Sequence, residues 1–449
     1  MRKARGPDNI NPRVLKGCAA ELAEPFQHLF NLSLGLGKVP QLWKTSCIVP
    51  VPKKGRPSTL NDYRPVALTS QVMKILERLV LHHLKPQVED YLDPLQFAYR
   101  EGVGVEDAII YMLHRAYAHL EKSRSTVRIM FFDFSSAFNT IKPSLLAEKL
   151  AVMRVEDTLI SWTHDYLTNR QQYVRLQGCQ SEMVVCSTGA PQGTVMSPFL
   201  FTLYTSDFQA NSNKCHLQKF SDDSSIVGYI RGDNDKEYRA LVENFVADCD
   251  ANHLLLNTSK TKEMVVHFGR KRKTPTPITI RGEEVEIVDR YKYLGVHINN
   301  KLDWKHNTEA LYRKGQSRLF FLRRLRSFNV RSELLRLFYQ SVVASALFFA
   351  VACWGGNVGA TGTAKLNKLV KKAGSVVGGS LETLEEVAEQ RTRRRLRAIL
   401  ENPTHPLNNE VARSTFSHRL ISPHQHTNRF GLSFVPTAIR LYNDAGQGQ

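Results

Sequence analysis

Acidic residues are in short supply in this sequence, paired cysteines are missing, and uncharged apolar runs are short. Against 61 lysines and arginines stand 42 aspartates and glutamates, a formal net charge of +19. A surplus of that size opposes self-assembly and favours a polyanionic partner, nucleic acid or an anionic membrane surface. The seven cysteines, Cys18, Cys47, Cys179, Cys186, Cys215, Cys249 and Cys353, form no Cys-x-x-Cys pair. An odd, dispersed set argues against a zinc ribbon or a disulfide framework and predicts reduced thiols in an intracellular compartment. Residues 1–7 hold no apolar core, so a signal peptide is not expected. Residues 341–354 are apolar and uncharged but shorter than the roughly 20 residues a bilayer span needs. A buried helix is expected there, and no membrane.

What is present is ample core material. Hydrophobic residues make up 42% and aromatics 9%, which describes a globular chain, and 449 residues are too many for one core. Residues 11–43 repeat Val14, Leu15, Leu22, Phe26, Leu29, Phe30, Leu32 and Leu34 at helical spacing, stopped by Gly35, Gly37 and Pro40. A strand at 47–51, a basic loop at 52–57 and a turn at 61–65 precede a helix over 70–88. Gly102 and Gly104 open a helix that runs to residue 122. Residues 128–134 read as a central buried strand, apolar throughout 129–132 and ending in Asp133. Pro143 starts the next helix, and residues 172–176 and 183–186 form a hairpin. Residues 235–253 are an amphipathic helix, and 263–268 and 291–298 are strands. Beyond Trp304 the pattern is helical and basic, with Arg313, Lys314, Arg318, Arg323, Arg324 and Arg326 among Leu319, Phe320, Phe321, Leu322 and Leu325. A last region carries Arg391, Arg393, Arg394, Arg395 and Arg397, then His424 and His426, read as a solvated tail because no further metal ligands share their spacing.

The chemistry centres on Asp222-Asp223, set between strand-like residues 214–220 and 226–230 as the tip of a tight hairpin. Adjacent carboxylates repel, and a bound cation makes the pairing tolerable. If the hairpin neighbours the strand that ends in Asp133, three carboxylates converge at one sheet edge. Carboxylates suit magnesium, and two such ions activate an attacking hydroxyl and stabilise a leaving pyrophosphate. Between the acids, residues 187–198 combine glycines that permit close backbone approach with Gln192, both donor and acceptor. Ser197-Pro198 then reads as the N-cap and first turn of a helix.

Phe132-Asp133-Phe134-Ser135-Ser136-Ala137-Phe138, Gly189-Ala190-Pro191-Gln192-Gly193-Thr194-Val195-Met196-Ser197-Pro198 and Phe220-Ser221-Asp222-Asp223 resemble, in order and spacing, the motifs of reverse transcriptases, more narrowly those of non-LTR (LINE-type) retrotransposons. The resemblance extends to residues 60–68, 93–100, 259–264, 293–296 and 433–440, so it covers nearly the whole chain. It implies an α+β right-hand polymerase. Residues 1–104 would be an N-terminal extension and fingers, 105–142 and 187–298 the palm with its primer grip, 143–186 a fingers insertion, 299–373 a helical thumb, and 374–449 a basic C-terminal region. By position, Asp133, Asp222 and Asp223 would be the catalytic acids and the ligands of two Mg²⁺ ions, with Mn²⁺ as a substitute. Phe138 falls where the family places an aromatic that blocks a ribonucleotide 2′-hydroxyl; a core phenylalanine is the alternative. Gln192 and Gly193 would line the nucleotide pocket. Arg64 and Arg100 would touch the triphosphate or template, or else be structural, and Lys260 would lie near the leaving phosphate. Tyr293, Leu294 and Gly295 would form the primer grip. Partners implied are an RNA template, a DNA primer at the target site, deoxynucleoside triphosphates and the element's own RNA as a ribonucleoprotein, in nucleus and cytoplasm.

Several positions depart from the pattern. Ser221 replaces the alanine usual before the paired acids, and Asn139 stands where aspartate is frequent. Residues 100–107 lack a second arginine and the Ser-Thr usual there, which weakens the fingers assignment. The chain reads as an open reading frame fragment without the endonuclease or a zinc knuckle. Two functions compete on these grounds. The intact acids favour an RNA-directed DNA polymerase; the altered fingers loop favours an inactive remnant that only binds nucleic acid. A metal-dependent nuclease would leave the nucleotide-pocket motif unexplained. Part of the thumb segment also resembles the N-terminus of AlkB-type dioxygenases, but the chain has no His-x-Asp pair for an iron site.

Overall fold

A computed structural model describes residues 4–176, 178–269, 275–415 and 419–445. Met1, Arg2 and Lys3, on which the reading of the chain's start rests, lie outside the described residues. The chain divides into two compact units. One comprises Met1–Gln96, Phe134–Gln209 and Asn244–Asn257, the other Phe97–Asp133, Ala210–Glu243 and Thr258–Gln449.

The first unit has a mixed sheet around the strand Ser46–Pro52, which pairs antiparallel with Tyr63–Leu68 and parallel with Arg170–Leu176. Val184–Cys186 returns along Arg170–Leu176, the expected hairpin. The turn expected at 61–65 is shorter than its sequence suggested: Tyr63, Arg64 and Pro65 already pair with Pro52, Val51 and Pro50. Proline is accommodated because this strand lies at the sheet edge. Helix Gln71–Val88 is capped by Ser70, whose Oγ accepts the Met73 N–H, and buries Met73, Leu76, Val80 and Leu84 on one stripe. The periodic N-terminal segment forms helices Pro12–Gly17, Ala19–Gly35 and Gln41–Lys44. In the longest of these only Phe30 and Ser33 are buried, while Leu29 and Leu32 are exposed. Helix Ser197–Tyr204 has Met196, not Ser197, as its N-cap; the Ser197 N–H donates instead to Thr194 Oγ1 at 3.4 Å.

The second unit is built on a sheet in the order Glu286–Ile287, Lys262–Val266, Ser125–Phe132, Asp223–Arg231, Cys215–Phe220. Ser125–Phe132 is the middle strand, and Val127, Ile129, Met130, Phe131 and Phe132 are all buried, as a strand covered on both faces requires. Its one charge, Arg128, is buried too and makes a bidentate pair with Glu263 on the neighbouring strand, at 2.6 and 2.8 Å. Asp235 and Tyr238 complete the group, Asp235 bonding Arg128 and Tyr238 donating to Glu263. A buried pair with its remaining valences met fixes which residues face each other across the strands. Helix Val105–Leu120 packs on this sheet and buries Ala108, Ile109, Met112 and Ala116. Residues 291–298 are two strands, not one: Arg290–Tyr293 and Val296–Asn299 turn at Leu294 and Gly295, both with positive φ.

Helix Lys305–Ser327 buries Leu311, Gly315, Leu319 and Leu322. Gly315 is required there, since a Cβ would lie 2.5 Å from the Leu347 side chain. Ser332–Asn357 is long and apolar enough to cross a membrane by length and composition, and 56% of that window is buried within the protein. The buried helix expected at 341–354 arrives in pieces, with a π-helical turn at Tyr339–Ala344 and a break at Ala350, whose φ is 51°. After Ala360–Val377, helix Leu384–Glu401 and the segment beyond it return to Val105–Leu120. Arg395 pairs with Glu106 at 3.1 Å and Asp107 at 3.0 Å, and His405 Nε2 lies 3.4 Å from Asp107 Oδ1. At the other end of that helix the Glu121 carboxylate accepts the Thr427 N–H at 3.0 Å and also the His426 N–H. The rings of His424 and His426 are exposed, 4.5 Å apart, but the backbone between them and Thr427 is anchored rather than a loose tail.

Candidate active site

Strand register gathers the acids. Phe132 pairs with Ser224, so one step further Asp133 stands opposite Asp223, and Phe220 pairs with Asp223 around a two-residue turn of Ser221 and Asp222. All three acids therefore lie at one end of the second unit's sheet. Their electrostatics reflect it. The Asp223 carboxyl is pushed up to about 6 by loss of hydration and then by the charges of Asp222 and Asp133. Tyr291, stacked on Phe131 with ring centroids 4.0 Å apart, has its phenol pushed up to about 12 by burial and by Asp223 and Asp133. Asp133 Oδ2 is buried without a hydrogen bond, and Lys260 Nζ lies 3.4 Å from it.

These features fit a hard cation: an oxygen short of partners, and clustered carboxylates whose repulsion a positive charge would relieve. Among the described residues no three His, Cys, Asp or Glu side chains are drawn together as a finished metal cage. The crowding of the acids, not a closed ligand sphere, marks the site.

The remaining candidates separate. In the first unit the loop from Gly189 to Gly193 is shaped by backbone contacts. Gly189 and Ala190 donate to the carbonyls of Ile141 and Phe138, each at 2.7 Å, and a Cβ on Gly189 would meet the Asn139 backbone at 2.7 Å. Gln192 gives its carbonyl to the Ala67 N–H at 3.0 Å, leaving its side chain half-buried. Phe138 is half-buried, 5.0 Å from Phe201, so it is neither free nor fully core. Arg64 is exposed on the edge strand. In the second unit Arg100 donates to the Thr404 carbonyl at 3.0 Å. Tyr293 departs from its expected place: it is 3% exposed and its hydroxyl is bonded by Gln218 at 2.8 Å, so only Leu294 and Gly295 of the trio offer themselves at a surface.

Glu77 escaped the sequence reading. Fully buried on helix Gln71–Val88, its carboxylate accepts from the Val195 and Met196 N–H groups and from Tyr166 Oη, fixing the end of the glycine loop. Burial raises its pKa, against those hydrogen bonds. The signal was there: an acid at the fourth position after Met73 on an otherwise apolar stripe.

A buried, mostly antiparallel sheet backed by a helix, with three carboxylates at one end, fits an α+β right-hand polymerase fold. The chain belongs to the reverse transcriptase (RNA-dependent DNA polymerase) family, whose model matches residues 51–298. It is 24% identical over 375 residues to the probable RNA-directed DNA polymerase from transposon BS of Drosophila melanogaster, covering 79% of this chain and 40% of that protein. With the RNA-directed DNA polymerase from mobile element jockey of the same fly it shares 22% over 377 residues, with the same coverage. The probable polymerase from transposon X-element is 26% identical over 372 residues, again with 79% and 40% covered. The chain thus spans about 40% of the length of these relatives. Apo telomerase from Candida tropicalis has a TM-score of 0.45 at 12% identity, over 86% of this chain and 68% of the other, a likeness too slight to build on. A second family model, the N-terminal part of alkylated DNA repair protein alkB homolog 8, matches residues 304–345, which here include the helix Lys305–Ser327.

Proposed function

We propose that this chain is the RNA-directed DNA polymerase of a non-LTR retrotransposon, extending a DNA 3′-hydroxyl on an RNA template. The observation that carries the reading is the convergence of Asp133, Asp222 and Asp223 at one sheet end, where loss of hydration first and then the charges of Asp222 and Asp133 push the Asp223 carboxyl up to about 6. Reverse transcriptase chemistry depends on a divalent cation, and these three residues would hold Mg²⁺ or Mn²⁺. When bound, two such ions supply a more acidic primer hydroxyl and charge neutralisation at the leaving pyrophosphate. The protein's own share is positional. Lys260, exposed and beside Asp133, carries a charge toward the departing phosphate. Gln192 and Gly193 bind the incoming deoxynucleotide, and Phe138 excludes a 2′-hydroxyl by bulk. Residues 299–373 act as the thumb, whose exposed Arg313, Lys314, Arg323, Arg324 and Arg326 follow the RNA–DNA duplex through its phosphates.

Glu106 and Asp107, in the stretch that departs from the family pattern, are engaged by Arg395 and His405 within the second unit. The test is primer extension on poly(rA)–oligo(dT) with Mg²⁺, comparing the chain with an Asp222→Ala, Asp223→Ala variant. Synthesis lost in the variant supports the reading. A folded, RNA-binding chain that makes no DNA overturns it in favour of a nucleic-acid-binding remnant.

A further inference from the structure

The acid-bearing turn is held by more than its own two strands. With Phe220 paired to Asp223, Ser221 and Asp222 are the whole turn. Ser221 has a φ of 61°, and at the first position of such a turn glycine is the usual residue, because a side chain there costs about 1 kcal/mol. A contact outside the hairpin offsets this. The Ser221 hydroxyl lies 2.8 Å from Tyr99 Oη.

Tyr99 is itself anchored. Its own φ is 60°, a second strained residue at the same place. Two residues earlier, the Phe97 N–H donates to the Lys219 carbonyl at 2.8 Å, which lays this segment along the strand leading into the turn. Phe97 is fully buried with its ring 5.6 Å from Tyr111, and Arg100 is fastened to the Thr404 carbonyl. The Tyr99 hydroxyl is thus presented from a fixed base on either side. Its pKa is raised by burial and by the charge of Asp222, which places the phenol within the field of the acid it would steady; the bond to Ser221 works against that rise. Strain concentrated in two residues that bond each other, beside a reactive group, is the pattern of a pre-organised site. A residue without a hydroxyl at position 221 could not take part.

We propose that Tyr99 and Ser221 are positioning residues, whose hydroxyl pair locks the turn so that Asp222 is fixed for cation binding. The proposal rests on the polymerase reading for its purpose but not for its test. Mn²⁺ binding by the purified full chain, read from the loss of the free-ion electron paramagnetic resonance signal, is compared for wild type, Tyr99→Phe, Ser221→Ala and the double variant, with primer extension alongside. Each single change should weaken Mn²⁺ binding about 5-fold, the worth of one hydrogen bond. The cation concentration for half-maximal synthesis should rise in step, while KM for the primer–template stays unchanged. The double variant should be no weaker than either single, because both remove the same bond.

Unchanged Mn²⁺ affinity in the singles, losses that multiply in the double, or a wild type that does not bind Mn²⁺ would each overturn the proposal. Tyr99→Phe keeps the ring, so it carries the test should Ser221→Ala fail to fold. A wild type whose Mn²⁺ binding responds to both changes but which makes no DNA would support the lock while overturning the polymerase reading. DNA synthesis and Mn²⁺ binding indifferent to both changes would do the reverse.

Discussion

Helices Lys305–Ser327 and Leu384–Glu401 both interleave arginine with leucine, and both bury one apolar stripe, yet their cations end differently. On the second, Arg391 donates to the Phe348 carbonyl, Arg393 to the Leu441 carbonyl and Glu389, and Arg395 to Glu106 and Asp107; Arg394 and Arg397 stay exposed. On the first, Arg318 reaches the Val342 carbonyl, but Lys314, Arg323 and Arg326 are exposed, beside Phe320 at 59% and Phe321 at 55% exposure. One helix spends most of its charge inside the protein; the other leaves more of it exposed. Sequence periodicity finds the stripe of the first helix, whereas for the second it gives only the run of arginines, and it finds the acceptors of neither.

The sharpest way to break the contrast is Arg395→Met. It leaves Asp107, fully buried, without its strongest partner, and should destabilise the chain by about 3 kcal/mol in urea unfolding. A loss no larger than that of an exposed arginine would erase the distinction. The second test concerns a buried group kept neutral. His216 is fully enclosed between Gln218 Oε1 at 3.0 Å and Tyr229 Oη at 2.9 Å, and burial pushes its pKa down to about 3. A depressed histidine pKa means the unfolded chain takes the proton first, so stability is intact above the unfolded value near 6.5 and lost as pH falls toward 3. Between pH 6.5 and 5 the loss should approach about 1.4 kcal/mol per unit. His216→Asn should flatten that limb; an unaltered slope would assign it to other groups.

The exposed side of the comparison is tested through binding. Replacing Arg323, Arg324 and Arg326 by glutamine should leave thermal stability unchanged, weaken RNA–DNA duplex binding, and lower the slope of log affinity against log salt by about 2–3. A salt slope equal to the wild type's would remove these residues from the interface. Smallest of all, Arg394→Gln and Arg397→Gln should each alter stability by less than about 0.5 kcal/mol, which a melting curve reads directly.

What the sequence disclosed followed from local physics. The Asp133 strand was legible because a run apolar on both faces belongs in the middle of a sheet, and the acid hairpin because paired aspartates between strand-formers have few other homes. Helix starts at Ser70 and Gly104 were likewise visible. The turn drawn through Tyr63–Pro65 was misplaced because proline, a turn signal in isolation, is also tolerated on an edge strand. Tyr293 is assigned to the primer grip by motif position alone, and position along the chain does not show that its ring faces inward. Glu77, Arg395 and His405 owe their roles to partners from 89 to nearly 300 residues away, which no window along the chain can reach.

The clamp on helix Val105–Leu120 has a consequence for the order of synthesis. Its contacts join residues 288 and 306 positions apart, Asp107 with Arg395 and Glu121 with Thr427. A ribosome makes that helix early and its fasteners late. Until Arg395 and His405 emerge, Asp107 waits without its counter-charge, and the second unit cannot close. A chain cut before Arg395 would therefore lose far more than the missing length suggests, although Asp133, Asp222 and Asp223 had already been made.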